Sequence, residues 1–110
     1  MASQNILDRI VQWAQKEDAI KAVMLQGSRA AGMADAYSDY DLAIFCSDYD
    51  SYIKDEKWLS QIGNVWVCVH EKMHQNNNTF PTRLVIFEGG VKVDFGFYTM
   101  GILQGLVHAK

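Results

Sequence analysis

Residues 27–45 have the sequence GSRAAGMADAYSDYDLAIF, which is the most informative part of the chain for predicting its fold. The apolar run KAVMLQ (residues 21–26) precedes it and stops at Gly27, a pattern that predicts a strand. The stretch ends in YDLAIFC (residues 40–46), which is apolar on both faces and typical of a central strand. Two strands joined by a small, polar, turn-rich segment are therefore expected.

The segments on either side of this stretch add helices and a third strand. Apolar residues at helical spacing predict a helix over residues 4–17, with Ser3 as its expected cap. A second helix is expected over residues 55–62, followed by a strand over residues 65–70. Three consecutive asparagines place a loop at residues 75–79.

The last third of the chain carries a strong hairpin signal. Two β-rich runs, residues 82–88 and 91–98, are joined by Gly89 and Gly90, which permit positive φ. Residues 100–107 are expected to form a short helix. This order of elements predicts an α/β (α+β) protein with a mixed sheet of three to five strands and helices packed on it.

The composition and charge of the chain argue against some classes of protein and favour others. With 110 residues the chain is expected to form a single domain, and 49% apolar residues argue against intrinsic disorder. A formal net charge of −3 makes nucleic acid an unexpected partner and favours metal ions or a cationic small molecule. Since neither a secretory signal nor an apolar run of membrane-spanning length is visible, we expect a cytoplasmic protein that does not bind membranes.

The cysteines and tryptophans are expected to be structural. Cys46 and Cys68 lie in apolar runs, which favours two free thiols over a disulfide. Neither cysteine has a Cys or His at the usual ligand spacing, so no zinc site is expected. The three tryptophans are predicted to lie in the core: Trp13, Trp58 and Trp66.

Two short motifs in the opening stretch carry the candidate chemistry. Gly27 and Ser28 follow a strand, where glycine lets a phosphate approach the backbone and the next amides can donate to it. Arg29 could add a charge-assisted contact. Asp39 and Asp41 open the next strand at positions i and i+2, so both carboxylates point the same way and can share Mg²⁺.

Asp94 is the candidate third carboxylate. It lies in the middle of a predicted strand, on the face that also carries Lys92, Gly96 and Tyr98. If that strand pairs with residues 40–46, three acids cluster, and their mutual repulsion suits a metal site. The alternative is that an arginine such as Arg83 satisfies Asp94.

Two further acidic features are weighed against a structural explanation. Asp48 and Asp50 repeat the Asp-x-Asp spacing, but they are expected in a loop or at a helix start. Glu71 is an alternative base, although a surface glutamate after a strand is the commoner case.

Together these residues resemble the nucleotidyltransferase pattern of the polymerase-beta superfamily. The sequence is more closely similar to the N-terminal domain of aminoglycoside 6-adenylyltransferases (streptomycin adenylyltransferases). The similarity covers nearly the whole chain, and it rests on four segments: Gly27-Ser28-Arg29-Ala30, Ser38-Asp39-Tyr40-Asp41, Asp50-Ser51-Tyr52 before Trp58, and LVIFEGGVKVDF at residues 84–95.

The resemblance implies an activity and a set of roles. The fold would be the nucleotidyltransferase fold, and AMP would pass from ATP to a hydroxyl of a small cationic acceptor such as an aminoglycoside. The nucleotide-binding residues would be Gly27, Ser28, Arg29 and Ser38. Asp39, Asp41 and Asp94 would be catalytic and would bind two Mg²⁺ ions, with Asp94 as a metal ligand, the base for the acceptor hydroxyl, or both.

Relatives of this type are longer and have a helical C-terminal domain that helps to bind the aminoglycoside. We expect residues 1–110 to be one nucleotidyltransferase domain without that part, working as it is, as a homo-oligomer or with a partner protein. Two alternatives stay open. One is a minimal antitoxin-like module that adenylylates or binds a partner protein, and the other is a non-catalytic nucleotide-binding remnant.

Overall fold

Helices and five strands form the part of the chain that the computed structural model describes, residues 5–26, 40–75 and 78–102. The elements, labelled in chain order, are α1 (Ile6–Gln15), β1 (Ile20–Gln26), β2 (Tyr40–Cys46), α2 (Asp50–Lys54), a 3₁₀ helix (Lys57–Gln61), β3 (Val65–Gln75), β4 (Asn78–Phe87) and β5 (Val91–Thr99).

The five strands form one mixed sheet in the order β1-β2-β5-β4-β3. Strand β2 pairs parallel with β5, and the other three neighbouring pairs are antiparallel. The predicted α+β class with a mixed sheet is confirmed. The predicted bounds of β2 are also confirmed, because an apolar run buried on both faces fits a strand that has neighbours on both sides.

The two faces of the sheet have different surroundings. On the helix-covered face, Leu42, Ile44, Phe95 and Phe97 are at most 2% exposed and pack in one core with residues of α1, α2 and the 3₁₀ helix. The opposite face, called here the acidic face, carries Asp41 and, further along, a small cluster: Ala43, Phe45, Phe80 and Tyr98. Residues 100–102 are helical and reach this cluster, while the rest of the helix predicted over residues 100–107 lies outside the described residues.

Aromatic side chains fill the core under the helices. Trp13 stacks on Trp58 with ring centroids 4.7 Å apart, and Trp58 meets Phe95 edge to face at 5.1 Å. These two tryptophans lie in the core as predicted, but Trp66 is 58% exposed, so the prediction for it was wrong. Trp66 lies at a bulge between Val65 and Val67 on an edge strand, where a side chain has a neighbouring strand on one side only.

Helix α1 begins later than predicted. It starts at Ile6, and Asn5 rather than Ser3 is its N-cap, since the Asn5 side chain accepts a 3.0 Å hydrogen bond from the Asp8 amide. Ser3 itself lies outside the described residues. Asparagine caps as well as serine, so the composition of the segment could not distinguish the two positions.

The predicted helix over residues 55–62 is instead a 3₁₀ helix over Lys57–Gln61, preceded by α2. Asp55 is extended, and its side chain accepts a hydrogen bond from the Lys57 amide at 3.0 Å. That local bond competes with a continuous α-helix. Asp50 is at a helix start, in agreement with one of the two expectations for it.

Strands β3 and β4 are longer than predicted. The loop expected at residues 75–79 is wrong at Gln75, Asn78 and Thr79, which belong to these strands, while residues 76 and 77 lie outside the described residues. Pairing continues from Val65 as far as Gln75 and Asn78, although Pro81 lies in the ladder. Strand β4 pairs with β5 only from Thr82 onward, so Pro81 has a strand on one side and its missing N–H is tolerated there.

The glycine turn between β4 and β5 is confirmed, with φ values of 92° at Gly89 and 81° at Gly90.

Both cysteines are free thiols, as predicted. Among the helices of the described ranges, none is long and apolar enough to cross a membrane.

Candidate active site

Asp41 and Asp94 are direct neighbours on the acidic face. They are partners in the parallel register of β2 and β5, two strands whose axes lie about 4.8 Å apart. Residues in register on adjacent strands point to the same face, so the two carboxylates are side by side. Asp41 is exposed and Asp94 is half-buried. The predicted pairing of these two acids is therefore present in the structure.

A cavity of about 330 Å³ opens over this pair. Gln26, the last residue of β1, lies opposite Asp41 and contributes to the wall. Glu71 of β3 and Thr82 of β4 line the other side. The complete lining is Gln26, Asp41, Leu42, Glu71, Lys72, Met73, Thr82, Asp94, Gly96 and Tyr98.

Tyr98 closes one end of the cavity as a neutral group. Its side chain is 5% exposed, and its hydroxyl donates a 3.6 Å hydrogen bond to the Met73 sulfur. Burial raises the pKa of Tyr98, and the negative charges of Asp41 and Asp94 raise it further. The phenol is therefore protonated near neutral pH and adds no charge beside the carboxylates.

The donor atoms at this position suit a hard cation. Two carboxylates on one face, open to a cavity, are the oxygen ligands that Mg²⁺ prefers, and Mg²⁺ keeps other positions for water or phosphate. Close carboxylates also repel each other, which a bound cation relieves. The residues present therefore fit a magnesium ion.

Gly27, Ser28, Arg29, Ser38 and Asp39 lie outside the described residues.

Arg83 does not satisfy Asp94, contrary to the alternative considered from the sequence. It lies on the helix-covered face, 5% exposed, and its Nε donates to Glu56 at 2.8 Å. The register of β4 explains this, because Leu84 rather than Arg83 is the partner of Asp94.

Glu71 lies in the candidate site, although the sequence favoured a structural explanation for it. It was expected on the surface, and it is exposed, but it also lines the cavity that contains Asp41 and Asp94. Its register with Thr82, which in turn pairs with Gly96, brings it to the acidic face. Alternation along β3 could have given its face, but the order of the strands could not be read from the sequence.

A larger cavity of about 760 Å³ lies on the helix side of the molecule, between α1 and the 3₁₀ helix. Its lining includes Arg9, Trp13 and Lys16, and neither Asp41 nor Asp94 contributes to it. Size alone would favour this cavity, but the carboxylate pair marks the smaller one as the candidate active site.

A family model and several known proteins of the same family match this chain. The model of the streptomycin adenylyltransferase family matches residues 1–110. The chain is 27% identical over 111 residues to an aminoglycoside 6-adenylyltransferase of Campylobacter jejuni, and 28% identical over 100 residues to one of Staphylococcus aureus. These matches cover 94% and 83% of this chain but 38% and 34% of the relatives, so the chain spans little more than a third of their length.

Two solved structures resemble the fold. The crystal structure of an aminoglycoside 6-adenyltransferase from Bacillus subtilis superimposes with a TM-score of 0.73 at 21% identity, covering 96% of this chain and 38% of that one. A cytoplasmic RNA terminal U-transferase gives 0.54 at 16% identity, covering 84% and 26%. The predicted nucleotidyltransferase fold is confirmed. Because the family model matches the sequence from its first residue to its last, the chain belongs to the streptomycin adenylyltransferase family.

Proposed function

We propose that this chain is the nucleotide- and metal-binding part of an adenylyltransferase that moves AMP from ATP to a hydroxyl of an aminoglycoside-like acceptor. The observation that carries the proposal is the adjacent pair Asp41 and Asp94, in parallel register above a cavity, in a member of this family.

In this proposal Asp39, Asp41 and Asp94 hold two magnesium ions. Bound Mg²⁺ would neutralise charge on the triphosphate and on the leaving pyrophosphate. Asp39 belongs to the proposed set because it precedes Asp41 by two residues in the sequence, and Asp41 is on the acidic face.

The triphosphate would lie against Gly27, Ser28, Arg29 and Ser38. Gln26 supports this assignment, because it pairs with Asp41 and is bonded directly to Gly27. Backbone amides after a strand and a serine hydroxyl can donate to phosphate oxygens, and a guanidinium can add a charge-assisted contact.

The acceptor hydroxyl would attack the α-phosphorus in line with the departing pyrophosphate, so that one P–O bond forms as the other breaks. Asp94 would accept the hydroxyl proton, and pyrophosphate would leave. Transfer of this kind depends on positioning and on neutralisation of charge rather than on covalent chemistry of the protein.

The charge of the cavity supports a cationic acceptor. Its described lining has three carboxylates, Asp41, Glu71 and Asp94, against one ammonium group, that of Lys72. Once the magnesium–ATP complex occupies Asp41 and Asp94, Glu71 is the carboxylate of this described lining that would bind an ammonium group of the acceptor.

Calorimetric titration with Mg·ATP tests the nucleotide part. We expect wild-type protein to bind and both Asp41→Asn and Asp94→Asn to lose binding. Asp50→Asn is the matched control, since Asp50 is an exposed member of the second Asp-x-Asp pair, at the start of α2. Absence of binding by folded wild-type protein, or equal binding by Asp94→Asn, contradicts the proposal.

Transfer from ATP labelled at the α-phosphate tests the acceptor part. We expect label on streptomycin and none when Asp94→Asn replaces the wild type. Label on a partner protein instead would favour the antitoxin-like alternative. Binding of Mg·ATP without transfer to any acceptor would contradict the acceptor assignment for this chain.

A further inference from the structure

A second group of potential ligands lies on the helix-covered side of the sheet, away from the aspartate pair. Cys68 and His70 are at positions i and i+2 of β3, so their side chains point to one face. Glu56 reaches them from the short connection between α2 and the 3₁₀ helix. Arg83 of β4 is the register partner of His70 and joins the group.

The ligand atoms of this group are already close together. His70 Nε2 lies 2.6 Å from Glu56 Oε2, and Cys68 Sγ lies 3.6 Å from the same oxygen. One ligand atom from each of the three residues fits within 4.8 Å of the other two. Tetrahedral zinc with Zn–N and Zn–O bonds near 2.0 Å and a Zn–S bond near 2.3 Å separates its ligands by roughly 3.3–3.6 Å. Small side-chain adjustments would therefore admit an ion.

Arg83 is suited to orient the carboxylate. Its side chain is 6% exposed, and its Nε donates to Glu56 Oε2 at 2.8 Å while its other nitrogens donate to the Thr82 and Ile53 carbonyls. A ligating carboxylate commonly has such a hydrogen-bonded neighbour, which fixes its direction. The oxygen that Arg83 holds, Glu56 Oε2, is also the one close to His70 Nε2 and Cys68 Sγ, so it would be the oxygen directed to the metal.

The charges and the access also fit. A thiolate and a carboxylate together neutralise a divalent ion, and neutral histidine adds a third ligand without charge. The His70 side chain is 59% exposed and that of Glu56 is 28% exposed, so an ion can enter from solvent and a water can take the fourth position.

We propose that Glu56, Cys68 and His70 form a zinc site with three protein ligands and one open position. Sulfur and imidazole nitrogen favour Zn²⁺, whereas the oxygen-only aspartate pair on the other face favours Mg²⁺. Binding replaces the Cys68 S–H bond with an S–Zn bond, and the proton passes to solvent. The ion would tie the connection before the 3₁₀ helix to the edge strand β3.

Sequence spacing gave no indication of this site. Cys68 and His70 are two residues apart, which is shorter than the usual spacing in zinc motifs, and Glu56 belongs to a different element. The prediction that no zinc site is present rested on that spacing, and the proposal here reverses it.

Competition titration with a chromophoric zinc chelator tests the site in reduced, tag-free protein. Excess Mg²⁺ is included to occupy sites made of carboxylates alone. We expect one Zn²⁺ per chain, and a loss of affinity in Cys68→Ser and His70→Gln at least as large as the roughly tenfold to hundredfold effect of outer-shell changes. The matched controls, His74→Gln on the same strand and Cys46→Ala in the core, should bind as the wild type does.

Cobalt substitution supplies a readout specific for sulfur ligation. Wild-type protein with Co²⁺ should show a thiolate-to-metal charge-transfer band that Cys68→Ser lacks. Glu56→Gln is not the deciding variant, because it would leave the buried Arg83 without its carboxylate and could prevent folding. No competition with the chelator by wild-type protein, or zinc affinity unchanged in folded Cys68→Ser, overturns the proposal.

Discussion

Gly96 leaves room for the Tyr98 ring on the acidic face. A Cβ atom at position 96 would lie 3.1 Å from Tyr98 Cε2 and 3.3 Å from its hydroxyl oxygen. Tyr98 cannot retreat easily, since its ring packs against Phe45 and Phe80 with centroids 5.5 and 4.7 Å away. The absence of a side chain at position 96 thus helps to keep the wall of the candidate active site in place.

We therefore expect Gly96→Ala to lower the free energy of unfolding by about 1–3 kcal/mol, the usual cost of overpacking. Chemical denaturation measures this change. In a Tyr98→Leu background the same substitution should cost much less, because the crowded ring atoms are gone. An equal cost in both backgrounds would show that the contact with Tyr98 is not the cause.

The thiol of Cys46 makes the free energy of unfolding depend on pH in the alkaline range. Burial, and to a lesser extent the charge of Asp48, raises the pKa of this thiol from 9.0 to about 11. Above pH 9 the unfolded chain loses the thiol proton while the folded protein retains it. The stabilising contribution is therefore complete below pH 9 and is lost as the pH rises towards 11.

We expect the unfolding free energy of wild-type protein to fall more steeply between pH 9 and 11 than that of Cys46→Ala. The difference in slope is at most about 1.4 kcal/mol per pH unit, the value for one proton. Urea denaturation at several pH values measures both slopes. Parallel slopes for the two proteins would contradict the shift at Cys46.

At the scale of elements, periodicity predicted strands better than helices. The alternation in residues 91–98 correctly divided β5 between an apolar face and a face with Asp94, because alternation is a local property of an extended chain. The helix expected over residues 55–62 failed because a local hydrogen bond, donated by the Lys57 amide to the Asp55 carboxylate, competes with a continuous α-helix. Strands β3 and β4 exceeded their predicted lengths because they pair with each other.

The cap of α1 gives a prediction at this scale. Asn5→Ala removes the acceptor for the Asp8 amide and should lower the unfolding free energy by about 1 kcal/mol. Asn5→Asp keeps an acceptor at the helix start and should change stability little. Thermal or chemical denaturation distinguishes the two variants, and equal losses would argue against capping by this side chain.

At the scale of the whole molecule, the sheet has one face under helices and another that is partly open. Two valines make a matched comparison. Val85 of β4 is fully buried on the helix-covered face, whereas Val69 of β3 is 39% exposed and pairs with Leu84 on the acidic face. The same substitution at the two positions therefore removes very different amounts of packing.

We expect Val85→Ala to cost about 2 kcal/mol through lost burial and a residual cavity. Val69→Ala should cost less than about 1 kcal/mol, since it removes mainly strand propensity and partial burial. Urea denaturation of both variants gives the comparison. Similar costs would mean that the acidic face is covered as fully as the other face.

Local features of this protein could be predicted from its amino-acid sequence. A continuous apolar run predicted β2, alternation predicted the face of Asp94, and two glycines predicted the turn before β5, because these features depend on neighbours in the chain. Tertiary structure decided which distant residues meet. The order β1-β2-β5-β4-β3 brings Glu71 to the cavity of Asp41 and Asp94. Packing of the connection between α2 and the 3₁₀ helix against β3 brings Glu56 to Cys68 and His70, and no local pattern encodes that contact.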